Sequence, residues 1–338
     1  MEREETRQGD TKYFREKGLY DILRTWRTPR DLFGPLSKFY RNTVNDLQIL
    51  LNLFPGKPWS WEGLSSNPNI TWKFIQDHPK LPWYWRYVSM NPNTTWDIIQ
   101  ENPGKKWNLK NFSHNPNVTW DIVQNNPDES WDWTGISSIP TVTWDVVQNN
   151  PDPPWQWAYL SENPNITWEI VQAHPEIRWD WYVLSVNPIV TWDIIQRNPD
   201  KPWSLKGFSY NPNITWEIVQ AHPTNTWDWW DLSRNPNITL DTIERNLGMP
   251  WEWSSLSENR KVTWEFIQRH PEIQWSWSGI SRNPNITWDI VQGNPEMKWD
   301  WYGLSDNPNL TWEIVYDNQD KPWNWERLSY NKFQRGLK

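Results

Sequence analysis

The sequence lacks cysteine, long apolar runs and any segment typical of a secretory signal. The chain has 338 residues and no cysteine, which excludes disulfide scaffolds, thiol nucleophiles and Cys-ligated zinc or iron–sulfur sites. Its mean hydropathy is −0.90, and without a long apolar stretch we expect no transmembrane segment. The polar start MEREETRQGD predicts that the protein is not secreted.

Motifs of common enzymes and of nucleic-acid-binding proteins are also missing. The sequence contains no G-x-S-x-G, P-loop, G-x-G-x-x-G or H-E-x-x-H pattern, each of which carries a defined chemistry. The net charge of −8 opposes binding to a phosphate backbone. We therefore expect no enzyme activity, no catalytic residues, no cofactor, no metal site, no membrane association and no nucleic-acid partner.

Tryptophan is abundant, with 34 residues in the chain, and it follows a strict repeat. The dipeptide Thr-Trp recurs at intervals of 24 residues or a multiple of 24. Leu240, again after threonine, occupies the one gap, so that eleven copies stand in register. The tryptophans of this dipeptide are Trp72, Trp96, Trp120, Trp144, Trp168, Trp192, Trp216, Trp264, Trp288 and Trp312.

A second tryptophan pattern, Trp-x-Trp, keeps the same period. Leu109 and Leu205 replace the second tryptophan in two copies. The first tryptophans of the pattern are Trp59, Trp83, Trp107, Trp131, Trp155, Trp179, Trp203, Trp227, Trp251, Trp275, Trp299 and Trp323. Because only Trp26 lies outside residues 59–325, the excess of tryptophan belongs to the repeat, and we expect most of these rings to be buried.

The first half of each repeat has the signals of a short helix. In the copy NPNITWEIVQAHPEIRWDWYVLS, residues 163–185, Thr167 is placed as an N-cap and Trp168 opens the helix. Ile166 and Val171 have the spacing of a hydrophobic staple. The acidic residue after tryptophan favours the helix N-terminus, and the next proline ends the helix.

The second half could be a strand by its period of two, but internal substitutions favour a helix. Phe112 and Phe208 occur only in the two copies that carry Leu109 and Leu205 three residues earlier. Such volume compensation indicates contact between residues i and i+3, which share a helix face. Proline directly before the first tryptophan, as at Pro58, suits a first helical turn.

These elements predict an all-α fold, an α-solenoid of about eleven to twelve two-helix repeats with a helical N-terminal cap. At a helix spacing of about 8–10 Å, the stack would form a curved rod on the order of 100 Å long. We expect a basic N-terminal helical cap at residues 1–46, the repeats at 47–331 and a basic tail at 332–338. Leu47–Phe54 forms a degenerate copy with Gln48 at the tryptophan position.

Recurring polar residues have both structural and functional interpretations. His78, His174, His222 and His270 share a position that holds asparagine in other copies, which indicates hydrogen bonding near a helix end rather than metal binding or catalysis. The serine found in all twelve copies suits a structural hydroxyl. A glutamine row and the asparagines before proline could face a ligand, but we favour side-chain hydrogen bonds to the backbone between repeats. The glutamines are Gln76, Gln100, Gln124, Gln148, Gln172, Gln196, Gln220, Gln268 and Gln292.

The pattern NPNITW(D/E)IV followed by PWxWxxLS resembles the tandem Trp-rich repeats in proteins of giant and other large nucleocytoplasmic DNA viruses. The resemblance covers roughly residues 47–331. It implies a viral protein that acts in the cytoplasm of an infected host cell or in the virion. It implies no activity and no ligand site. Leu240, SIPTVTW at 138–144 and NRKVTW at 259–264 depart from the pattern and predict local repacking.

Three functional hypotheses follow from the sequence. The first is a non-enzymatic scaffold that binds host or viral proteins, and the second is a structural protein of the virion. The third is a glycan-binding module that uses exposed tryptophan. The position after the recurrent serine varies between copies and favours an exposed surface with individual contacts. Its residues include Glu162, Val186, Tyr210, Arg234 and Arg282.

Overall fold

The computed structural model describes residues 46–333, and all 24 regular elements in this range are short α-helices. The predicted all-α solenoid of two-helix repeats is therefore confirmed. Residues 1–45 of the expected N-terminal cap and residues 334–338 of the expected basic tail lie outside the described residues. Within 46–333 no helix is long and apolar enough to cross a membrane.

The first helix of each repeat has an odd number. These twelve helices are α1 (Asp46–Leu53), α3 (Trp72–Asp77), α5 (Trp96–Glu101), α7 (Trp120–Asn125), α9 (Trp144–Asn149), α11 (Trp168–Ala173), α13 (Trp192–Arg197), α15 (Trp216–Ala221), α17 (Leu240–Arg245), α19 (Trp264–Arg269), α21 (Trp288–Gly293) and α23 (Trp312–Asp317).

The second helix of each repeat has an even number. These twelve helices are α2 (Trp61–Ser66), α4 (Trp85–Met90), α6 (Leu109–Phe112), α8 (Trp133–Ser138), α10 (Trp157–Glu162), α12 (Trp181–Val186), α14 (Leu205–Phe208), α16 (Trp229–Arg234), α18 (Trp253–Glu258), α20 (Trp277–Arg282), α22 (Trp301–Asp306) and α24 (Trp325–Leu328).

Threonine caps the odd-numbered helices, as predicted. In α11 the Thr167 hydroxyl accepts a hydrogen bond from the backbone N–H of Ile170, and the same bond forms at all but one of the eleven threonines, the exception being Thr287. Ile166 and Val171, the expected staple pair, are both buried in the core. Each of these helices has only six residues, too few to be stable without tertiary packing.

The even-numbered helices begin two residues later than the sequence suggested. The helix prediction for this half is confirmed, but α2 starts at Trp61, the second tryptophan of its pair. Trp59, the first tryptophan, lies in extended chain before the N-cap residue Ser60, and its indole Nε1 donates a 2.9 Å hydrogen bond to the carbonyl oxygen of Phe54. The same bond, to the residue five positions earlier, forms in all twelve copies. This tryptophan thus joins the end of one helix to the start of the next.

Buried serine and asparagine side chains join neighbouring repeats. The Ser65 hydroxyl accepts a hydrogen bond from the backbone N–H of Tyr84 in the next repeat at 3.0 Å. Asn91 donates from Nδ2 to the carbonyl oxygens of Ser65 and Asn67, at 3.0 and 2.9 Å. Ile139 stands at the asparagine position in one copy and packs in the core instead, as expected for the divergent SIPTVTW segment.

The same joint connects the last repeat to the first, so the solenoid closes into a ring. The backbone N–H of Ser60 donates to the Ser329 hydroxyl at 2.9 Å. Asn67 Nδ2 donates to the carbonyl oxygens of Ser329 and Asn331 at 2.9 and 3.0 Å. The ring of Trp59 lies 5.0 Å from that of Trp325. The predicted rod is therefore wrong, because the serine hydrogen bond forms at all twelve joints and no joint remains at a free end.

The even-numbered helices form the inner row of this ring. Most neighbours in this row pack directly against each other, whereas in the odd-numbered row α1 and α23 are the pair with comparable backbone contact. Because each repeat turns through the same angle in a closed ring, the more closely spaced row has the smaller radius. Twelve helices about 8–10 Å apart and about 10 Å thick would enclose an opening of roughly 20–28 Å. Tryptophan, isoleucine, leucine and valine side chains fill the core.

We expect Asn67→Ala and Asn163→Ala to destabilise the protein equally. Asn163 makes the corresponding bonds to Ser137 and Ile139 in the middle of the chain. In each case two buried carbonyl groups lose their donor, which costs about 1–3 kcal/mol of unfolding free energy. Chemical denaturation checks both variants, and a neutral Asn67→Ala beside a destabilised Asn163→Ala would indicate an open chain.

Candidate functional site

The inner face, defined as the exposed side chains on or directly beside the even-numbered helices, carries most exposed aromatic residues. Nine large hydrophobic residues in the described part of the chain are exposed, and the two outside the inner face are the aliphatic Leu247 and Met249. The seven on the inner face are Tyr84, Tyr159, Tyr182, Tyr210, Trp230, Tyr302 and Tyr330. Trp230, half exposed, is the one exposed tryptophan within residues 46–333.

The outer face, formed by the odd-numbered helices, is uniform by comparison. An acidic residue follows the first tryptophan or leucine of ten of these helices, as at Asp97 and Glu169. Hydrogen bonds from its own backbone N–H and from the Thr167 hydroxyl lower the pKa of Glu169. These acidic residues stabilise the helices, because negative charge is favourable near a helix N-terminus. The two faces therefore differ in kind, one repetitive and acidic, the other varied and rich in aromatic residues.

Arginine side chains lie over the aromatic rings of the inner face. The guanidinium of Arg234 is 4.4 Å from the ring centre of Trp230, and that of Arg327 is 5.0 Å from Tyr302 and 5.6 Å from Tyr330. Arg327 also pairs with Asp306. These contacts hold long side chains in fixed positions through cation–π and ionic attraction.

Ring closure makes one continuous aromatic arc from the two ends of the repeat region. Tyr330 of the last repeat lies against the first repeat, where a Cβ added to Gly63 would come within 2.8 Å of its ring. The Tyr330 hydroxyl is 3.4 Å from the Ser60 hydroxyl. One repeat further on, the Tyr87 hydroxyl donates to the Glu62 carboxylate at 3.5 Å. Residues 270 positions apart in sequence thus share one surface.

Two neighbouring carboxyl groups on the inner face have opposite pKa shifts. Burial and the charge of Asp228 raise the pKa of Asp231, which is 8% exposed. Burial would also raise the pKa of Asp228, but hydrogen bonds from the Asp231 N–H and from Lys206 outweigh it and lower that pKa. Asp228 is the N-cap of α16 and its Oδ1 accepts from two backbone N–H groups. Its carboxylate therefore caps the helix.

The variable residues singled out in the sequence lie together on the inner face. Glu162, Tyr210 and Arg234 are exposed, while Val186 and Arg282 are partly buried. Arg282 forms a 3.0 Å ion pair with Glu258 of the preceding even-numbered helix. The exposed-surface hypothesis is therefore right for three of these five residues and not for the other two.

The recurrent histidines lie at helix ends, as their exchange with asparagine indicated. His174 is the C-cap residue of α11, and its Nδ1 lies 3.0 Å from Glu176. At the same position Asn102 donates from Nδ2 to the carbonyl oxygen of Ile98 at 2.8 Å. Within residues 46–333 no group of three or more His, Asp or Glu side chains has a geometry that could hold a metal ion.

The structural interpretation of the polar rows is right for serine and asparagine but wrong for glutamine. The serines and the asparagines before proline bond between repeats as described. All nine glutamines of the row are exposed on the outer face. None forms a hydrogen bond with any part of residues 46–333, because their position on the helix points away from the adjoining repeats.

The sequence reasoning missed the residue directly after the second tryptophan of Trp-x-Trp. Tyr182, Trp230 and Tyr302 occupy this position and are 52%, 50% and 43% exposed. The position varies freely between copies, from Ala158 to Lys206. That variability beside a nearly constant tryptophan was the available signal.

No protein-family model, no curated protein and no solved structure matches this chain. The inner face therefore has to be interpreted from its own chemistry.

We expect Gly135→Ala to destabilise the ring, because the inner row leaves no space there. A Cβ at Gly135 would lie 2.6 Å from the carbonyl oxygen of Ser113, a backbone atom that cannot move freely. Such overpacking costs about 1–3 kcal/mol. Gly104 has no atom near its Cβ position, so Gly104→Ala should stay within about 0.5 kcal/mol of wild type. Urea denaturation measures both, and equal effects would contradict close packing.

We expect Asp231→Asn to stabilise the protein at neutral pH. Since the folded-state pKa of Asp231 is raised above its ordinary value of 3.8, wild type loses stability as pH rises through the interval above that value. The substitution removes this loss, and the gain should vanish at lower pH, where Asp231 is protonated.

Asp228→Asn is the matched control, and we expect it to destabilise the protein at neutral pH. The folded-state pKa of Asp228 is lowered, so its carboxylate stabilises the fold at neutral pH and ceases to do so as pH falls through that pKa. Thermal denaturation from acidic to neutral pH distinguishes the two, and parallel curves for both variants would contradict these assignments.

Proposed function

We propose that this protein is a non-enzymatic scaffold whose inner face binds a protein partner. The observation that carries the proposal is the division between the two faces. The outer face repeats itself, whereas the inner face varies from copy to copy and holds all seven exposed aromatic residues of the described chain. Individual side chains at equivalent positions suit recognition of a partner with an individual surface.

The composition of the inner face supports a protein as the partner. Tyrosine, tryptophan and arginine dominate the binding energy of protein interfaces, because they offer large contact areas at a small entropy cost. Here arginines already lie over tyrosine and tryptophan rings. Many inner-face cations also have acidic partners, such as Lys206 with Asp228, which leaves little free positive charge for a polyanion.

The closed ring limits the form of the partner. An opening of roughly 20–28 Å accepts an α-helix about 10–12 Å across, or an extended segment, but not a folded domain. Because the ring has no free end, such a segment must enter by its own terminus or as a protruding loop. The partner is therefore a narrow polypeptide segment, of host or viral origin as the resemblance to viral Trp-rich repeats implies.

The virion-scaffold and glycan-binding hypotheses have less support. A virion scaffold that spans or cements larger subunits required an elongated rod, and a closed ring does not supply one. The glycan hypothesis relied on exposed rows of tryptophan, and the inner face offers Trp230 alone. Enzyme activity has no support on the inner face, because its notable carboxylate pair includes a helix cap.

Photo-crosslinking tests the proposal. We expect a photoreactive amino acid placed at Tyr182 or Tyr302 to crosslink a discrete protein in the host cell, while the same group at Asn125 on the outer face does not. With the crosslinked protein purified, Trp230→Ala combined with Tyr302→Ala should weaken its binding at least about tenfold, as for interface hot spots. Isothermal titration calorimetry measures the affinity.

The variant Asn125→Ala combined with Asn149→Ala serves as the outer-face control and should bind like wild type. Unchanged affinity in the Trp230→Ala and Tyr302→Ala double variant would refute the proposal. So would crosslinks that form only from Asn125.

A further inference from the structure

Eight copies of the repeat contain the sequence Asn-x-Thr, which is the acceptor motif for N-linked glycans. The asparagine of each motif follows the proline of the turn that leads into an odd-numbered helix. These asparagines are Asn69, Asn93, Asn117, Asn165, Asn213, Asn237, Asn285 and Asn309. In a secreted protein the motif marks a surface loop that carries a glycan. The sequence pattern alone would therefore indicate as many as eight glycans.

Both ends of the motif are occupied in the folded ring. The Nδ2 of Asn93 donates to the carbonyl oxygens of Pro68 and Ile70 in the preceding repeat, at 2.7 and 3.2 Å. The corresponding two bonds form in six other copies, and Asn69 donates across the closing joint to the carbonyl oxygen of Lys332. The threonine of each motif is the N-cap residue of the following helix. The motif thus arises from two structural demands, a donor between repeats and a helix cap.

A glycan and the preceding repeat would compete for the same space. N-glycosylation joins the asparagine Nδ2 to C1 of a sugar supplied by a lipid-linked diphosphate donor, and one of the two Nδ2 hydrogens is lost. A single N–C bond is about 1.46 Å long, whereas the two acceptor oxygens of Asn213 lie 2.7 and 3.1 Å from its Nδ2. The sugar carbon would lie within about 2 Å of a carbonyl oxygen, far closer than two unbonded heavy atoms approach.

Two of the three copies of this turn that carry another residue instead of asparagine still link neighbouring repeats. Lys261 donates from Nζ to the carbonyl oxygen of Pro236, the acceptor that asparagine uses in other copies. The Thr141 hydroxyl accepts from the backbone N–H of Trp120 in the preceding repeat at 2.8 Å. Neither side chain is an acceptor for an N-linked glycan. The position therefore serves to join repeats.

We propose that the closed ring and N-glycosylation of these motifs exclude each other, so that the protein folds in a compartment without oligosaccharyl transferase. In the endoplasmic reticulum that enzyme modifies a chain before its repeats pack, and each glycan then blocks one joint. Since eight of the twelve joints carry the motif, the ring cannot close there. The proposal concerns folding and does not rest on the function proposed for the inner face.

The test directs the full chain into the endoplasmic reticulum of cultured mammalian cells with a cleavable signal peptide, with and without tunicamycin, which blocks glycan synthesis. Every form carries Asn111→Ser, because Asn111 begins the one other acceptor motif of the chain. Without the drug we expect a gel shift that endoglycosidase H reverses, and a chain that chymotrypsin degrades at its tryptophans. With the drug, or without the signal peptide, we expect residues 46–333 to resist chymotrypsin, because the ring buries most of these tryptophans.

A matched variant replaces the eight asparagines with lysine, as at Lys261, which keeps a donor and removes the motif. In the endoplasmic reticulum without the drug, this variant should resist chymotrypsin like the drug-treated chain. The proposal is overturned if the glycosylated chain resists chymotrypsin equally, if the motifs stay unmodified in that compartment, or if neither tunicamycin nor lysine restores resistance. Failure of the crosslinking at Tyr182 and Tyr302 would not affect this result, since it reports on the inner face.

Discussion

A buried asparagine at the joint between repeats is the interaction on which the rest of the structure depends. Asn91 donates to carbonyl groups of the preceding repeat and accepts from the backbone two residues on, and most of its equivalents do the same. Helices of six residues cannot persist alone, and unpaired carbonyl groups inside the ring would be costly. Each repeat therefore completes the hydrogen bonding of its neighbour, and the chain is stable only as a continuous stack.

Because the ring closes, the first and last repeats also depend on each other for their hydrogen bonds. In an open solenoid the first and last repeats would expose one joint surface each, and separate caps would have to cover them. Here Asn67 finds Ser329 and Asn331 at the same distances that other joints have. In the ring, the even-numbered helices lie at the smaller radius and are crowded, whereas the odd-numbered helices lie at the larger radius and are more widely spaced. The binding surface proposed for the inner face follows from this arrangement.

Much of the local structure could be predicted from the sequence because its causes are local. Thr167 caps a helix by its own hydroxyl, and the exchange of Leu109 for tryptophan beside Phe112 indicates a helix face; both follow from spacing along one segment. The asparagine–histidine exchange at His174 also indicated a helix end. The glutamine row was misjudged, because a periodic polar residue gives no sign in the sequence of whether it faces a neighbour or the solvent.

The sequence by itself determined the repeat, its two helices and their caps, since a 24-residue period with threonine, proline and tryptophan at fixed places leaves few other local structures. Only the tertiary structure decided that the stack is a ring, because the angle between successive repeats depends on how closely the inner helices approach, as at Gly135 and Ser113. A small change in that angle at each joint would accumulate over twelve repeats and open the circle. The shared surface of Tyr330 and Ser60, far apart in sequence, exists for the same reason.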